Sequence, residues 1–498
     1  MSKEEAMRAL LVAPEFPDTF WSFRHALRFV RKRSSFPPLG LLTVAAMLPR
    51  EWQLRVVDTN VSQLTDDDLA WADTVWIGGM TIQKESALEI LKRCRELDVR
   101  TIVGGPMATC EPELFDDADH LVLNEAEVTL PPFLKALEAG VPKRVYENET
   151  KPELTESPTP RWDLIQMKHY ASMSLQFSRG CPYDCDFCNV TALLGKRPRT
   201  KQPRQVIAEL DALYSAGWRG AVFFVDDNLI GNRREVRKLL PEVTAWRQGK
   251  RPLPLYTEAT INLADDEPLQ KAMVAAGFDT IFVGIETPDE VGLSECNKAQ
   301  NCKRDLTADV RKLHRAGLQV QAGFIVGFDS DTASIFERQI DFIQRSGIVT
   351  AMVGLLQAPV GTRLYETLQA QGRVLSGMTG DNVDGSTNVL TKMPIDLLKS
   401  GYRRIMDTIY SPETYYQRVK QFLSDYQPPA TPAHFGWAQF TTLLRSMWGL
   451  GVVGRGRLHY WRLLGWTVTR RPQHFALAVR LWIYGHHFRE VCRLRLTS

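Results

Sequence analysis

The 498-residue chain lacks any apolar run of the roughly 18 residues that a helix needs to span a bilayer. Its first residues lack the basic-then-apolar layout of a secretory signal. Cysteine is scarce, and five of the eight cysteines are scattered, which predicts buried free thiols. These absences argue against an integral membrane protein and a disulfide scaffold, and they predict a protein of the reducing cytoplasm.

Lysine and carboxylates are nearly absent from the carboxyl-terminal region. Residues 431–498 contain ten Arg, no Lys and one acid, Glu490, whereas the rest of the chain has 51 basic and 57 acidic side chains. Five of the twelve tryptophans also lie there. Arginine with tryptophan on amphipathic helices favours peripheral contact with the inner face of an anionic membrane. A plain helical cap and a nucleic-acid surface are the alternatives, and the absence of lysine makes nucleic acid the least favoured.

The other three cysteines, Cys181, Cys185 and Cys188, lie in one short segment with the spacing C-x3-C-x2-C. Three thiolates can hold three irons of a [4Fe–4S] cube and leave the fourth iron open to a ligand. The alternatives are a zinc site or three reduced thiols that happen to lie close together. Zinc prefers four ligands and a second Cys/His pair, and no such pair follows Cys188, so the spacing favours the cluster.

Short apolar runs alternate with helical patterns through residues 1–142, which predicts a doubly wound parallel sheet. Ligands of such sheets bind at the carboxyl ends of the strands, where glycine permits close approach of the backbone. The alternative is that these glycines only turn the chain. The candidate binding residues at four strand ends are Asp58, Asn60, Gly78, Gly79, Met80, Gly104, Gly105 and Glu125.

Three further regions follow. Residues 143–170 are rich in Pro, Glu and Thr and predict a linker. In residues 171–368 six apolar runs again alternate with helical patterns, and each run ends in polar residues or glycine. Helical patterns dominate residues 369–498. The expected fold class is therefore α/β, with two strand–helix units followed by a mostly helical extension.

The cysteine spacing, with Phe187 before the last cysteine, resembles the radical S-adenosylmethionine (radical SAM) superfamily. The resemblance implies a partial (β/α)6 barrel over residues 171–368. It also implies that Cys181, Cys185 and Cys188 ligate a catalytic [4Fe–4S] cluster, whose open iron binds SAM and which cleaves SAM to a 5′-deoxyadenosyl radical. For each acidic residue among the implied SAM contacts, a helix N-cap is the alternative. Those contacts are Asp226, Asp227, Asn228, Glu286, Gly323, Ile325 and Gly327.

Residues 1–142 resemble the cobalamin-binding domain at the amino end of many radical SAM enzymes, which assigns the eight candidate residues of that unit to cobalamin. Many such domains carry a D-x-H-x-x-G motif whose histidine ligates cobalt. This chain has Asp58-Thr59-Asn60-Val61-Ser62-Gln63 in its place. The resemblance therefore implies cobalamin bound without a histidine ligand from the protein.

The layout of the whole chain is similar to the branch of radical SAM enzymes that includes hopanoid C-2 and C-3 methylases. That similarity implies methyl transfer to an unactivated carbon of a lipid or polycyclic substrate, with an electron donor such as flavodoxin or ferredoxin. A cobalamin-binding radical SAM cyclase or rearrangement enzyme and a natural-product methylase are alternatives of the same architecture. A non-catalytic iron–sulfur binding module is the alternative of another class.

Overall fold

The computed structural model describes residues 6–375, 377–381, 383–428 and 436–495. Two parallel six-stranded sheets follow one another along the chain, and a helical region packs against both. The runs of buried apolar residues that predict strands form strands in both sheets, because strands covered on both faces must be apolar throughout. This arrangement is the mixed α/β fold with a helical carboxyl-terminal region that the sequence predicts.

The first sheet has the strand order β2-β1-β3-β4-β5-β6, and all its pairs are parallel. Its last strand lies within residues 143–170, where the sequence predicts only a linker. The strands are β1 (Arg8–Ala13), β2 (Gln53–Asp58), β3 (Thr74–Gly78), β4 (Arg100–Gly104), β5 (His120–Val122) and β6 (Val145–Tyr146). The helices of this unit are α1 (Arg24–Val30), α2 (Leu39–Met47), α3 (Asp66–Trp71), α4 (Lys84–Glu96), α5 (Pro106–Cys110) and α6 (Ala126–Glu138).

The second sheet has the order β14-β13-β12-β11-β10-β7, again all parallel, with β14 and β7 as its edges. A short antiparallel pair, β8 with β9, follows β7. The strands are β7 (Ser172–Leu175), β8 (Ser178–Arg179), β9 (Arg199–Thr200), β10 (Ala221–Phe224), β11 (Leu255–Glu258), β12 (Phe278–Glu286), β13 (Gln319–Val326) and β14 (Ala351–Leu355). The helices are α7 (Val190–Leu194), α8 (Pro203–Ser215), α9 (Arg233–Trp246), α10 (Glu267–Ala276), α11 (Glu290–Glu295), α12 (Leu306–Arg315), α13 (Ile335–Ser346) and α14 (Arg363–Ala370).

The carboxyl-terminal region is helical. Its helices are α15 (Ile395–Ile409), α16 (Pro412–Asp425), α17 (Trp437–Ser446), α18 (Arg457–Arg470) and α19 (Phe475–Arg495), with a π-helical turn at Met447–Val452. Helix α19 packs against the amino-terminal segment, where the rings of Phe488 and Phe20 stack at 4.2 Å. Among the described residues, no helix is both long and apolar enough to cross a bilayer.

The segment 14–36, which joins β1 to α2, leaves the first sheet and contacts the second. Ser34 and Ser35 accept backbone hydrogen bonds from Ala171 and Ser172, so this segment pairs beside the edge strand β7. The ring of Phe36 lies 5.4 Å from that of Phe223 on β10. Trp21 Nε1 lies 3.0 Å from the sulfur of Met352 on β14. The segment therefore contacts strands at both ends of the second sheet.

Candidate active site at the carboxyl ends of the two sheets

The loop that carries the three cysteines begins where β7, the first strand of the second sheet, reaches its carboxyl end. Its backbone is fixed by hydrogen bonds from Cys181 N to Gly195 O at 3.2 Å and from Cys188 N to Cys185 O at 3.1 Å. Gly180 has φ +90°, and a Cβ there would lie 2.7 Å from Gly195 O, so the turn into the loop requires glycine. All three thiols are free, and the loop presents them on one short segment.

Amide groups surround these thiols. Asn228 Nδ2 lies 3.8 Å from Cys181 Sγ, and Gln300 Nε2 lies 3.6 Å from Cys185 Sγ. The amide oxygens of both residues are buried without a hydrogen-bond partner among the described residues. Burial raises the pKa of the Cys181 thiol, and it raises the pKa of Cys188 to about 12. The positive charge of Lys298 lowers the pKa of both cysteines and so opposes the effect of burial.

A buried ion pair lies beside the cysteine loop. Lys298 Nζ donates to Glu286 Oε1 at 2.7 Å, and both side chains are nearly excluded from solvent. Burial lowers the pKa of Lys298, but the negative charges of Glu286 and of ionised Cys185 outweigh it and raise that pKa overall. A Cβ on Gly284 would lie 2.7 Å from Lys298 Nζ, so glycine at that position makes room for the pair. Lys298 therefore remains cationic next to the thiols.

Two aspartates, Asp226 and Asp227, directly follow Val225 at the carboxyl end of β10. The carboxylate of Asp226 is fully buried and accepts hydrogen bonds from Phe177 N at 3.1 Å and from the Oγ and backbone N of Ser178. Burial raises the pKa of Asp226 to about 7 and that of Asp227 to about 6. The sequence predicts a direct SAM contact for Asp226, whereas the structure uses both of its oxygens to hold the start of the cysteine loop.

Two adjacent strands carry the remaining predicted SAM residues. Gly284 on β12 is in register with Gly323 on β13, and a bulge follows on β12, where Glu286 has φ +66°. Ile325 and Phe187 of the cysteine loop both pack against the buried cluster of Cys296, Phe328 and Leu356. Gly327 has φ +108°, and its backbone N donates to Asp331 Oδ2 at 2.8 Å. Gly323 and Gly327 are buried, and a Cβ at each would crowd Phe282 at 3.0 Å and Leu398 at 3.1 Å, so glycine permits close packing at these strand ends.

The carboxyl edge of the first sheet is lined largely by backbone. Asp58 and Asn60 bond each other, and Asp58 also accepts from Tyr170 Oη at 2.9 Å, so these polar groups are satisfied within the protein. Gly105 has φ +84°, and a Cβ there would lie 3.3 Å from Gly79 O, so the two strand ends approach closely. Gly78 and Gly104 occupy register-matched positions on β3 and β4. Met80 is 53% exposed beside them.

A cavity of about 480 Å³ lies between this edge and the second sheet. Asn60 and Ile82 contribute from the first unit, and Phe16, Phe20, Trp21 and Phe36 from the segment 14–36. Met352 of β14 lines it from the second sheet. The Trp21 ring also lies 5.2 Å from that of Phe282 on β12, so aromatic side chains continue from the cavity toward the second sheet. Its walls are mainly apolar, and no histidine lines it among the described residues.

Glu125 lies in a network that joins the two units, and its carboxylate does not face the cavity. It is buried and accepts from Arg199 Nη2 and Arg179 Nη1, each at 2.8 Å. Arg179 also bonds Glu127 at 2.9 Å and stands two residues before Cys181. The sequence predicts a cobalamin contact for Glu125, whereas both of its oxygens are paired with arginines of the second unit. The network fixes the cysteine loop relative to the first sheet.

Comparison with known families and relatives agrees with this geometry. Residues 175–343 match the radical SAM superfamily, and residues 362–497 match a domain of unknown function. An uncharacterized methyltransferase of Synechocystis sp. is 38% identical over 98% of this chain and 93% of its own length. A hopanoid C-2 methylase of Rhodopseudomonas palustris is 35% identical over 93% of this chain and 89% of its own length. The chain belongs to the radical SAM superfamily.

Two solved radical SAM structures share the whole fold. OxsB, a cobalamin-dependent radical enzyme with aqua-cobalamin and SAM bound, aligns with TM-score 0.63 at 14% identity over 99% of this chain and 80% of its own. TsrM of Kitasatospora setae, with cobalamin and a [4Fe–4S] cluster bound, aligns with TM-score 0.58 at 15% identity over 97% and 99%. Because both structures are only 14–15% identical to this radical SAM enzyme, their similarity establishes its fold alone.

Membership of the radical SAM superfamily means that the enzyme uses a [4Fe–4S] cluster and SAM, and the cysteine loop fits the cluster. Each iron of a cube takes one thiolate, and hydrogen bonds to the sulfurs tune the cluster. The loop has three free thiols, two amide donors near sulfur, and amide oxygens that await partners. A zinc site needs ligands gathered on one ion, and no three His, Cys, Asp or Glu side chains converge so in the described part of the chain.

Three polar residues of this radical SAM site were missed by the sequence analysis. Lys298, Gln300 and Asn301 follow β12, and Asn301 Nδ2 donates to the carbonyls of Gly284 and Ile285 at 2.9 and 3.1 Å. The available signal was the polar run Asn297-Lys298-Ala299-Gln300-Asn301 soon after a strand end. Glu258, one of the polar strand ends in the sequence pattern, ends β11, and burial with the charges of Asp227 and Asp226 raises its pKa to about 8.

Proposed function

We propose that this radical SAM enzyme is a cobalamin-dependent methyltransferase that methylates an unactivated carbon of a lipid-like or polycyclic, hopanoid-like substrate. The observation that carries the proposal is the cavity between the two units, in which aromatic and other apolar surface predominates and to which Arg24, Arg33 and Asp381 add charge. The full-length relationship to a hopanoid C-2 methylase supports the substrate class.

The proposed cofactor sites follow from what each sheet edge presents. Cys181, Cys185 and Cys188 would hold the cluster, and SAM would lie along Asp227, Asn228, Glu286, Gly323, Ile325 and Gly327. Cobalamin would lie against Gly78, Gly79, Met80, Gly104 and Gly105, where bare backbone leaves room for a broad ring. Cobalt would have no histidine ligand from the protein, because Asn60 stands where the D-x-H-x-x-G motif has its histidine. When bound, these groups would supply the radical that takes a hydrogen atom and the methyl group that replaces it.

The side chains of the chain contribute orientation and exclusion of water. Asp226 fixes the loop that carries Cys181, and Lys298 holds Glu286 at the end of β12. The network of Glu125 with Arg179 and Arg199 fixes the distance between the two sheet edges. Trp21, Phe36 and Met352 line the cavity with apolar groups that bind a hydrocarbon skeleton and keep water from reactive species.

The proposal divides the chain into a cobalamin unit (1–142), a connecting segment (143–170), a radical SAM core (171–368) and a helical extension (369–498). Cluster chemistry requires an electron, so a small donor protein such as flavodoxin or ferredoxin is the proposed redox partner. Residues 431–498 are the proposed contact with the inner face of the membrane; of these, 431–435 and 496–498 lie outside the described residues.

The decisive experiment starts from anaerobically purified protein with a reconstituted cluster. Its optical spectrum should contain both iron–sulfur and corrin absorption. Incubation with SAM, a reductant and a pentacyclic triterpenoid should then release 5′-deoxyadenosine and give a product heavier by one CH2 unit. Absence of corrin absorption from protein supplied with cobalamin would contradict the methyltransferase proposal.

The same assay separates the alternatives. A cyclase or rearrangement enzyme would release 5′-deoxyadenosine without adding a methyl group to its product. A non-catalytic iron–sulfur module would leave SAM intact after reduction. Natural-product methylation would be indicated if a polar polycyclic compound were methylated while the triterpenoid was not.

A further inference from the structure

Exposed apolar side chains are concentrated on one part of the carboxyl-terminal region. Of the 22 large apolar side chains exposed among the described residues, nine lie between residues 437 and 468. Trp437 and Trp448 are 77% and 68% exposed. Monomeric soluble proteins rarely leave such a concentration uncovered unless it binds a partner. The nine are Trp437, Phe440, Leu444, Trp448, Val452, Val453, Leu458, Trp461 and Val468.

These side chains lie on or beside α17, the π-helical turn and α18, and we call this set of exposed residues the hairpin face. On α17 and the π-helical turn, Trp437, Phe440, Leu444 and Trp448 are spaced three, four and four residues apart, so they share one side of the helix. The rings of Trp437 and Phe440 lie 5.5 Å apart. Trp461 of α18 donates its indole N–H to Gly451 O at 2.9 Å, which joins the second helix to the turn.

Arginines border the hairpin face. Arg455, Arg457, Arg462 and Arg470 are exposed, and none makes an ion pair among the described residues. No Asp or Glu occurs between residues 436 and 489, so no acidic side chain of this region neutralises them. A surface that combines uncovered indole rings with unpaired guanidinium groups matches the interface of an anionic bilayer, where rings lie at headgroup depth and arginines meet phosphates.

We infer that the hairpin face binds an anionic lipid bilayer by inserting its tryptophans into the interfacial region. A second copy of this chain is a poorer occupant. A symmetric dimer through the same face would bring the four arginines of each copy to one interface, and this region has no carboxylate there to neutralise them. A bilayer with anionic headgroups supplies apolar depth and negative charge together.

Helix contacts link the hairpin face to the cavity wall. Helix α17 packs against α1, and Arg445 Nη1 donates to Phe29 O at 2.8 Å. Helix α1 directly follows Phe20–Ser22, which lines the cavity. The hairpin face is therefore connected through α17 and α1 to the segment that walls the cavity. The relevance of this connection to catalysis rests on the proposed lipid substrate, whereas membrane binding by the hairpin face does not depend on that substrate.

The test uses the full-length protein and vesicle flotation. Wild-type protein should float with vesicles of phosphatidylcholine and phosphatidylglycerol and remain largely unbound with phosphatidylcholine alone. Its tryptophan emission should shift to the blue on binding. Trp437→Ser with Trp448→Ser should weaken partition about tenfold or more, because two indole rings no longer insert. The matched control is Val291→Ser with Leu375→Ser, two residues of similar exposure elsewhere, and it should bind as wild type.

A second pair of variants tests the charge. Replacing Arg455, Arg457, Arg462 and Arg470 by serine should lower partition to anionic vesicles by about a hundredfold or more, since each basic residue near such a surface contributes about 1 kcal/mol. The same four-charge change at Arg50, Arg100, Arg204 and Arg315, which are exposed and distant in sequence, should have a much smaller effect.

Three results would overturn the inference. They are failure of the wild type to float, equal flotation of the tryptophan variant, and a wild-type dimer in solution that the tryptophan variant converts to monomer. Release of 5′-deoxyadenosine from SAM by the same variants, with substrate dispersed in detergent, reports on the proposed chemistry separately. Loss of that release in every protein, wild type included, would count against the proposed function and leave the flotation result standing.

Discussion

The carboxyl ends of the two parallel sheets present opposite chemistry. At the second sheet, Asp226, Glu286 and Lys298 are buried and paired with protein groups around the cysteine loop. At the first sheet, glycines expose backbone, and the polar groups of Asp58 and Asn60 are satisfied by each other and by Tyr170. The first arrangement suits a small charged ligand beside a metal cluster, and the second suits the broad face of a large one.

The comparison shows that the residues following a strand determine whether its carboxyl end can bind a ligand, and of which kind. The first sheet reverses its strand order at β1 and the second does not, but both sheets are parallel and both have strands that end in glycine or polar residues. Strand direction and strand-end composition therefore do not explain why the two edges differ. The difference comes from what the next segment brings. After β7 it brings three cysteines and after β12 it brings Lys298 and two amides, whereas β3 and β4 are each followed at once by a glycine, Gly79 and Gly105.

The largest effect is expected from Cys181→Ala, which removes one proposed cluster ligand at the carboxyl end of the second sheet and leaves the first sheet unchanged. A cube left with two protein thiolates should not be retained, so iron content and 5′-deoxyadenosine release should both fall to background. Iron and sulfide analysis of the reconstituted protein measures this. Cys302→Ala, a thiol outside the loop, is the control and should keep its iron. Retention of a full cluster by Cys181→Ala would contradict the ligand assignment.

Glu125→Gln removes the carboxylate that pairs with Arg179 and Arg199 and so joins the first α/β unit to the second. Removing one charge of a buried ion pair leaves Arg199 and Arg179 without their shared carboxylate, which should cost about 3–5 kcal/mol in free energy of unfolding. The midpoint of urea unfolding, compared with that of the exposed Glu113→Gln, measures the loss. If the two variants unfolded at the same urea concentration, the network would have no role in holding the units together.

Glu258 makes the stability of the second edge depend on pH. Its pKa is raised from 4.5 to about 8 by burial and by the neighbouring aspartates, so the fold favours the neutral acid. Its contribution to stability is full below the unfolded pKa and is lost as pH rises from about 4.5 through 8. Glu258→Gln, which stays neutral, should therefore gain stability over the wild-type apoprotein at pH 9 and little at pH 5. Urea unfolding at both values measures the difference, and an equal difference at both would refute it.

The smallest effect is expected at the first edge. Gly105→Ala and Gly140→Ala both place alanine at positive φ, so both should lower the free energy of unfolding. The cost at Gly105, about 1–3 kcal/mol, should be the larger, because φ +84° with ψ −175° is nearly confined to glycine. A Cβ at Gly140 meets no atom within 4 Å, whereas one at Gly105 meets Gly79 at 3.3 Å. Only Gly105→Ala should therefore also reduce the corrin absorbance that remains after desalting. Equal corrin retention by both variants would place cobalamin elsewhere.

The sequence predicted most of the strands because each strand is a short apolar run covered on both faces. β1 and the core of β13 illustrate this, since their buried residues are the runs themselves. The cysteine loop was identified because its residues are adjacent in the chain. The pairing of Glu125 with Arg179, 54 residues away, and the use of Asp226 to hold Ser178 depend on tertiary contacts that no local pattern reports. β6 was missed because two residues are too few to show a period.

The crossing of the segment 14–36 to the second sheet has a consequence for how the chain can be divided. Ser34 and Ser35 extend the sheet beside β7, and Phe36 and Trp21 pack against β10 and β14. A fragment that begins at residue 171 would expose an unpaired strand edge and lose those aromatic rings. The two α/β units are therefore not interchangeable modules: exchanging the amino-terminal unit for that of another protein would also exchange part of the wall of the catalytic barrel.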